Sequence, residues 1–309
     1  MDKEFDVVTI GMINFDINVK GFEKDMTNHK LSIVPEISVS MGGDAQNCAM
    51  TLGRMGIKTA ICGRVGNDMA GTLCIGELAR NHVDSSRIKR DPVCTATAIN
   101  LVQSDEFESA VLYNEGSNTK FCLEDVPEEI YVKTKVMCLN SFFGCGLIGA
   151  DLLRKAQDYG VITVADTTTL EPEDKLEDIE DCLPHIDYFL PSYEEAATLT
   201  KKTNPEEVAN EFLARGVKHM VIKLGADGCL IKTANMTKVI PGYKVKAVDT
   251  TGCGDNFVAG FIAGLTNGLS LEECANLANA AGAINAMQLG SNGAVKSFQQ
   301  LMDYVEMNK

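Results

Sequence analysis

The strongest constraint on the fold is an alternation, along most of this chain, of short β-rich apolar runs with helix-like runs. The first run, residues 5–10, ends at Gly11, and a helical pattern over residues 45–55 ends at Gly56. Glycine just past a helical pattern is typical of a helix end. This alternation predicts a three-layer α/β/α fold of the Rossmann-like type, with a mostly parallel sheet covered by helices on both faces.

Further strands are predicted at residues 59–63, 136–140, 161–165, 188–190, 220–224 and 243–248, and further helices at 147–159, 205–215, 256–268, 271–287 and 298–307. Two segments, residues 14–40 and about 93–121, depart from this strand–helix alternation. They show a shorter, more polar alternation of the β type and no helix of their own. We predict that these two segments pair into a small projecting β-sheet, a lid that closes over a substrate. Two separate surface hairpins are the alternative. Residues 1–309 are predicted to form a single domain with this lid inserted.

Composition excludes several classes of function. The 309 residues carry a net charge of −15, which argues against a nucleic-acid partner. No apolar run is long enough to span a membrane, and the acidic N-terminal residues are unlike a secretory signal. Eleven cysteines, none at Cys-x-x-Cys spacing, predict free thiols in a reducing cytoplasm. The scattered histidines give no spacing suited to zinc.

The most informative motif is Asp249-Thr-Thr-Gly-Cys-Gly-Asp-Asn-Phe257, where a loop is predicted to become a helix. The amides of Gly252, Cys253 and Gly254, at the positive end of that helix, would form a cradle for negative oxygens. Asp255, held at the rim, would take a proton from an attacking hydroxyl. An anion cradle beside a carboxylate base is what phosphoryl transfer from a nucleotide to an alcohol requires. A glycine turn without a ligand is the alternative.

A second motif, Met41-Gly-Gly-Asp-Ala-Gln-Asn47, opens the first long helix. Asn14 and Asp16 follow the first predicted strand, so they would lie near Asp44 and Asn47 at the mouth of one sheet. Vicinal hydroxyls of a sugar need such a set, because each buried hydroxyl must find a hydrogen-bond partner. The two motifs together indicate a sugar as the alcohol.

On these motifs the chain resembles the ribokinase-like carbohydrate kinases, the PfkB family, over essentially its whole length. Gly42-Gly43-x-x-x-Asn47 matches the N-terminal signature of that family, and Asp249 to Asp255 matches its C-terminal signature, with Cys253 where alanine is usual. Within the family, the chain is most similar to a bacterial sugar-kinase branch of undefined substrate.

The resemblance implies a role for each matching residue. Asp255 would be the base, and the anion hole would be formed by Gly252, Cys253 and Gly254. The sugar would be held by Asn14, Asp16, Gly42, Gly43, Asp44 and Asn47. ATP would lie along Lys223, Gly225 and Gly228, and the stretch 279–292, which includes Asn279 and Gly282, would flank adenine. Glu195 would organise Mg²⁺ through water, and Asp249 and Thr251 would be the positions for a monovalent cation such as K⁺.

Departures from the family pattern are Ser192 where asparagine is frequent, Thr168 in place of another asparagine, and Ala294 where a hydroxyl would help to bind the cation. Because Asp44 adds a negative charge beside the sugar, an acidic or phosphorylated sugar is disfavoured. A neutral pentose, hexose or ketose is therefore the predicted acceptor.

Two alternatives to a sugar kinase stay open. A nucleoside kinase would need aromatic side chains for stacking, and the candidates are Phe15, Phe142 and Phe143 in a chain without Trp. A non-catalytic sugar or nucleotide sensor is the other alternative, although Asp255 and both glycines of the motif are retained. The resemblance, together with the unpaired edges expected of the small sheet, implies a homodimer.

Overall fold

The computed structural model describes residues 3–102, 109–142, 148–168 and 170–308. Its strands are Phe5–Ile10 (β1), Asn14–Lys20 (β2), Glu36–Gly42 (β3), Thr59–Cys62 (β4), Arg64–Gly66 (β5), Val83–Asp84 (β6), Lys89–Asp91 (β7), Ala96–Val102 (β8), Ser109–Asn114 (β9), Thr134–Leu139 (β10), Ile162–Ala165 (β11), Tyr188–Phe189 (β12), His219–Lys223 (β13), Gly228–Lys232 (β14) and Thr237–Pro241 (β15). Its α-helices are Asp44–Arg54 (α1), Met69–Arg80 (α2), Glu128–Lys133 (α3), Ile148–Asp158 (α4), Tyr193–Thr200 (α5), Pro205–Ala214 (α6), Cys253–Thr266 (α7), Leu271–Ala286 (α8) and Phe298–Met307 (α9).

The main sheet has the strand order β15-β14-β13-β12-β11-β10-β1-β4-β6 in the described part of the chain. Pairing is parallel from β13 to β6, and β14 and β15 extend the edge antiparallel. One face carries a buried core against α3 to α6 that includes Phe189 and Phe212. The other face carries a core against α1, α7, α8 and α9 that includes Phe257 and Phe261. The predicted three-layer α/β/α fold is confirmed.

A separate sheet of order β3-β2-β8-β9 forms the predicted small projecting lid. Polar and apolar side chains alternate along β2, so the sheet has one polar and one apolar face. Asn14, Asp16 and Asn18 point to one side, and Phe15 and Ile17 point to the other. On the polar side Asn18 donates to Ser40 Oγ at 3.0 Å, and Asn100 donates to Asn18 Oδ1 at 2.9 Å. Residues 103–108 of the predicted lid segment lie outside the described residues, and the inclusion of the lid in one domain over 1–309 stays a prediction.

The strand predicted at residues 243–248 is wrong, because the edge strand β15 already ends at Pro241. The segment runs along a cleft instead of a neighbouring strand. Tyr243, Lys244, Val245 and Ala247 all line this cleft, and Tyr243 also packs edge-on against Tyr304, with ring centroids 5.2 Å apart. The Val248 amide donates to the Ala286 carbonyl of α8 at 2.7 Å, so the segment leads from the sheet towards α7.

The small residues of α7 set how closely it packs on α8. A Cβ added at Gly260 would lie 2.8 Å from the carbonyl oxygen of Leu277, and one at Gly264 would lie 2.8 Å from the sulfur of Cys274. These glycines therefore allow the backbones of α7 and α8 to approach each other closely. Among the described residues, no helix combines the length and the apolar character needed to cross a membrane.

Candidate active site

A cleft of about 710 Å³ opens at the carboxyl ends of the parallel strands β11, β12 and β13. Asp166, Ser192 and Lys223 reach it from these strand ends, and the starts of α1 and α7 reach it from the opposite side. In open α/β sheets the carboxyl ends of the strands are the usual place for a ligand. Of the residues predicted for the site, those that line this cleft are Asp44, Glu195, Lys223, Gly225, Gly228, Gly252, Cys253, Gly254, Asp255, Asn279 and Gly282.

The start of α7 depends on Gly252, which has φ +71°, a conformation that side chains with a Cβ rarely adopt. A Cβ there would lie 2.0 Å from the carbonyl oxygen of Ser291. The Cys253 amide donates to the Thr250 carbonyl at 3.2 Å and closes the turn. The following amides, at Gly254 and Asp255, lie in the first turn of α7, where backbone amides have no partner within the helix, so they are available to an anion.

The space beside Gly254 suits a phosphoryl group. A Cβ added at Gly254 would meet only the ammonium nitrogen of Lys223, at 3.3 Å, among the described atoms within 4 Å. The gap between the start of a helix and an ammonium group is therefore kept open by the absence of a side chain at this glycine. Both neighbours attract negative oxygens, so the residues present fit a nucleotide phosphate.

Asp255, in the first turn of α7, is held from α1 by a hydrogen bond. Asn47 Nδ2 donates to Asp255 Oδ2 at 2.8 Å. Burial raises the pKa of Asp255 well above its usual value, and the negative charge of Asp44 raises it further, whereas the Asn47 hydrogen bond lowers it. The predicted base and a predicted sugar-binding residue thus meet, although 208 positions separate them in the chain.

The start of α1 repeats this arrangement. Gly43 has φ +89°, and a Cβ there would lie 2.5 Å from the carbonyl oxygen of Met12. The next residue, Asp44, accepts a hydrogen bond from Ser141 Oγ at 3.2 Å. Burial raises the pKa of Asp44 to about 6, against the opposing effect of hydrogen bonds from Thr168 and Ser141. A second acid is therefore fixed at the rim of the same cleft.

Other predicted sugar-binding residues belong to the small sheet: Asn14 and Asp16 lie on β2, and Gly42 ends β3 just before α1. Asp16 is buried beside Gly42, where a Cβ would lie 2.0 Å from Asp16 Oδ2. Burial, and then the charge of Asp44, raise the pKa of Asp16 to about 6. Glycine at position 42 therefore leaves room for this carboxylate.

Asn14 accepts two hydrogen bonds from residues that sequence reasoning missed. Asn118 Nδ2 donates to Asn14 Oδ1 at 2.9 Å, and the Tyr113 hydroxyl donates to the same oxygen at 3.3 Å. With its oxygen engaged in this way, the Asn14 amide can donate towards a ligand. Tyr113 and Asn118 belong to the predicted lid segment, but no motif in that segment marked them.

Lys223 forms an ion pair with Asp166, with both oxygens of Asp166 at 2.7 Å from its nitrogen. Burial raises the pKa of Asp166 to about 7, partly offset by Lys223. Burial alone would lower the pKa of Lys223, but Asp166 and Glu195 keep it above its usual value. Asp166 was not among the predicted site residues, although it lies two residues before Thr168, one of the departures from the family pattern.

Glu195 is fixed at the start of α5 by a reciprocal cap. Ser192 N donates to Glu195 Oε2 at 3.0 Å, and Glu195 N donates to Ser192 Oγ at 3.2 Å, while the Thr167 hydroxyl also donates to Glu195. Within the described ranges no three His, Cys, Asp or Glu side chains lie together as a metal site. A divalent ion would thus need oxygens from phosphate or water beside Glu195.

Asp249 and Thr251, the predicted cation positions, lie in the loop before α7 and do not line the cleft. Asp249 accepts the Thr251 amide on Oδ1 and the Gly290 amide on Oδ2, both at 2.9 Å. Its carboxylate thus joins this loop to the segment that follows α8.

The predicted adenine-flanking stretch, residues 279–292, divides in two. Its first part lines the cleft with Asn279, Gly282 and Ala283, and Asn279 donates to the carbonyl oxygens of Ile240 and Pro241 at 3.2 Å. Its last residue, Asn292, instead donates to Asn47 Oδ1 at 2.8 Å. Sequence reasoning gave no sign of this contact, because the two residues are 245 positions apart.

Comparisons with known proteins show the family of this chain. Residues 4–297 match the model of the pfkB family carbohydrate kinases. An ATP-dependent ribose-1-phosphate kinase of Halopiger xanaduensis is 30% identical over 93% of this chain and 94% of its own. A 2-dehydro-3-deoxygluconokinase of Bacillus subtilis is 26% identical over 89% and 90%.

Solved structures share the fold. The ribokinase of Arabidopsis thaliana, complexed with ribose and ATP, is 22% identical and superposes with a TM-score of 0.88 over 99% of both chains. An E. coli protein provisionally named ribokinase II, in complex with ATP and Mg²⁺, is 24% identical, with a TM-score of 0.83 over 98% of this chain and 99% of its own.

Proposed function

Because this chain belongs to the pfkB family of carbohydrate kinases, we propose that it transfers the γ-phosphoryl group of ATP to a hydroxyl of a neutral sugar. The main support for this proposal is the hydrogen bond between Asn47 and Asp255. Asp255 lies at one end of a cleft that is also lined by Gly254 and Lys223. The hydrogen bond joins a residue suited to sugar hydroxyls with a carboxylate suited to proton removal, a few ångströms from an anion cradle.

Asp255 would accept the proton of the attacking hydroxyl on a carboxylate oxygen. The Asn47 amide favours the charged carboxylate, which is the form that can accept a proton. The amides at the start of α7 and the ammonium of Lys223 would stabilise the negative charge that develops on the transferring group. Mg²⁺ bound with ATP would neutralise phosphate charge, and Glu195 would hold its water ligands.

A neutral acceptor is favoured because two carboxylates, Asp16 and Asp44, lie on the acceptor side. A carboxylate or phosphate on the sugar would be repelled there. The relatives from Bacillus subtilis and Halopiger xanaduensis, named for acidic or phosphorylated substrates, are thus poor guides to the acceptor of this chain.

The alternative of a nucleoside acceptor finds little support among the aromatic side chains. Phe142 is 1% exposed and packs in the main core, and Phe15 packs against the core beside α2. Phe143 lies outside the described residues. Neither described ring is placed to stack freely on a base.

K⁺, if required, would lie beside Asp249 and Thr251. Both Asp249 oxygens already accept backbone amides, so carbonyl oxygens of the same loops would have to supply most of the ligands. Replacement of K⁺ by tetramethylammonium tests the requirement: a large loss of kcat supports the site, and an unchanged kcat rejects it.

We also propose a homodimer formed through the apolar face of the small sheet, where Ile37, Val39 and Leu112 are 64%, 58% and 59% exposed. The edge strands β3 and β9 leave backbone groups available to a second copy. Sedimentation of the protein and of Val39→Glu tests this proposal, because a charge on that face should give monomers.

The described cysteines are free thiols, which fits a cytoplasmic enzyme.

The experiment that tests the function is ADP release measured on a panel of neutral sugars, sugar acids, sugar phosphates and nucleosides. Activity on a neutral sugar supports the proposal. Preference for a sugar acid, a sugar phosphate or a nucleoside would reject the assigned acceptor. ATP binding with no turnover on any member of the panel would favour the sensor.

A further inference from the structure

The segment that follows α8 contacts three parts of the site at once. The Gly290 amide donates to Asp249, and the Ser291 carbonyl lies against Gly252 at the start of α7. The third contact is with the start of α1, where Asn292 bonds to Asn47. This segment is therefore placed to influence the base as well as the loop before α7.

The orientation of the Asn292 carboxamide is determined by a backbone carbonyl. Its Nδ2 donates to the Met41 carbonyl at 2.9 Å and to Asn47 Oδ1 at 2.8 Å. Because the Met41 carbonyl can only accept, a rotated Asn292 amide would set its own oxygen against that oxygen. Asn292 thus presents a nitrogen to Asn47.

The orientation of Asn47 follows from that of Asn292. Its Oδ1 accepts from Asn292 and also from the Ser291 hydroxyl, at 3.3 Å, so its Nδ2 is left to face Asp255. If the Asn47 amide turned over, its oxygen would face the Asp255 carboxylate. Two acceptors can share a hydrogen only when the carboxylate carries a proton, and a protonated Asp255 is no longer a base.

We propose that Asn292 is a positioning residue, which keeps Asp255 available as a base by fixing the amide of Asn47. This inference rests on the proposed function, because it gives Asn292 a role only through a base at position 255. It predicts that loss of the Asn292 donor lowers turnover and shifts the acidic limb of the pH–rate profile to higher pH, because Asp255 then holds its proton more tightly.

The test compares Asn292→Ala with the wild type in an ADP-release assay from pH 5 to 9. We expect kcat to fall by about tenfold or more, because a misplaced Asn47 amide would no longer donate to the Asp255 carboxylate, and a hydrogen bond to a charged group is usually worth that much. The acidic limb should move to higher pH by about one unit. Asn292→Gln, which keeps a carboxamide donor, should recover part of both. Asn276→Ala is the matched control, since Asn276 is a half-buried asparagine that donates to a helix carbonyl, at Glu272, outside the site.

A double-mutant cycle with Asn47→Ala shows whether Asn292 acts through Asn47. In that background Asn292→Ala should change kcat by less than about twofold and should not move the acidic limb. Equal losses in both backgrounds, or an acidic limb that stays in place in the single variant, would overturn the inference. Should Asn292→Ala fail to bind ATP or to fold, Ser291→Ala removes the other donor to Asn47 and must give a smaller shift in the same direction; an unmoved limb there overturns the inference too.

The proposed function can fail separately. If Asp255→Asn turns over normally, the base is wrong and the role of Asn292 is rejected with it. If Asp255→Asn is inactive while Asn292→Ala matches the wild type in kcat and pH profile, the function stands and only the positioning role is lost.

Discussion

The starts of α1 and α7 are built alike and equipped differently. Each begins after a glycine with positive φ, at Gly43 and Gly252, and each carries an aspartate in its first turn that faces the same cleft. Asp255 accepts an amide hydrogen from Asn47, whereas Asp44 accepts a hydroxyl hydrogen from Ser141. Similar backbone turns therefore position Asp44 and Asp255, and the different hydrogen-bond partners of these two acids suit them to different roles.

The two helix starts are also linked to each other. Asn47 lies three residues after Asp44 on α1, so the helix that carries one acid supplies the hydrogen bond to the other. The charge of Asp44 meanwhile raises the pKa of Asp255. We infer that α7 supplies the base and the anion cradle, and that α1 tunes that base and selects the acceptor by charge.

The largest expected effect separates the two acids directly. Asp255→Asn should lower kcat by about 10² to 10⁴, because a positioned base is lost, and ATP should still bind. Asp44→Asn should lower kcat by less than about tenfold, since Asp44 would not take the proton. Steady-state ADP release with calorimetric ATP binding measures both. Equal losses in the two variants would contradict the division of roles.

The glycines of the two starts should matter for stability. Gly252→Ala and Gly43→Ala place a Cβ within 2.0 Å and 2.5 Å of a carbonyl oxygen at positive φ, so each should lower the free energy of unfolding by about 2–3 kcal/mol. Urea unfolding measures the change. Gly76→Ala is the control, because a Cβ in that helical position meets no atom within 4 Å, and it should be neutral or slightly stabilising. A stable Gly252→Ala would mean that the turn before α7 can rearrange.

Both helix starts could be located from the sequence, because glycine pairs at a loop-to-helix change follow from local backbone geometry. The parallel core was predicted equally well, since buried parallel strands read as apolar runs. Residues 243–248 were misassigned because alternation indicates two environments and cannot show whether a neighbouring strand exists to pair with.

What could not be predicted were contacts across the chain. The Asp166–Lys223 pair spans 57 positions and the Asn47–Asn292 pair spans 245, and neither spacing carries a helical or strand period. The sugar-side residues were proposed as a set by chemical type, but Tyr113 and Asn118 were missed because tyrosine and asparagine in a polar strand region are common on surfaces.

Asp44 and Asp16 together predict how stability depends on pH. The pKa of Asp44 is raised to about 6 in the folded protein, above the value of an unfolded aspartate, and Asp16 behaves alike. Between these values the folded state binds more protons, so stability falls as pH rises. These two groups alone should therefore make the free energy of unfolding about 2–3 kcal/mol higher at pH 5 than at pH 8, and the raised pKa values of Asp166 and Asp255 act in the same direction. Urea titrations at both pH values measure it, and Asp44→Asn should show a smaller difference.

The link between the helix starts predicts a shift in catalysis. Because Asp44 raises the pKa of Asp255, Asp44→Asn should move the acidic limb of kcat/KM to lower pH, by about one unit or less. The direction is opposite to that expected for Asn292→Ala. A limb that does not move in Asp44→Asn would show that the two acids do not interact during turnover.

The smallest effect concerns Cys253, which replaces the usual alanine between the glycines of α7. Its sulfur lies 3.7 Å from the Asn285 amide nitrogen, and burial raises the pKa of its thiol. Cys253→Ala should therefore keep kcat within about threefold, because the loss of one weak sulfur contact leaves the backbone donors in place.

Alkylation gives the complementary measurement at the same position. Iodoacetamide should inactivate the wild type slowly, and faster as pH rises, because only the thiolate reacts. ATP with sugar should protect the wild type, and Cys253→Ala should resist inactivation. Cys94, which is exposed, provides the control, since its labelling should leave activity unchanged. Inactivation of Cys253→Ala at the wild-type rate would show that the sensitive thiol lies elsewhere and that alkylation at the start of α7 does not cause the loss of activity.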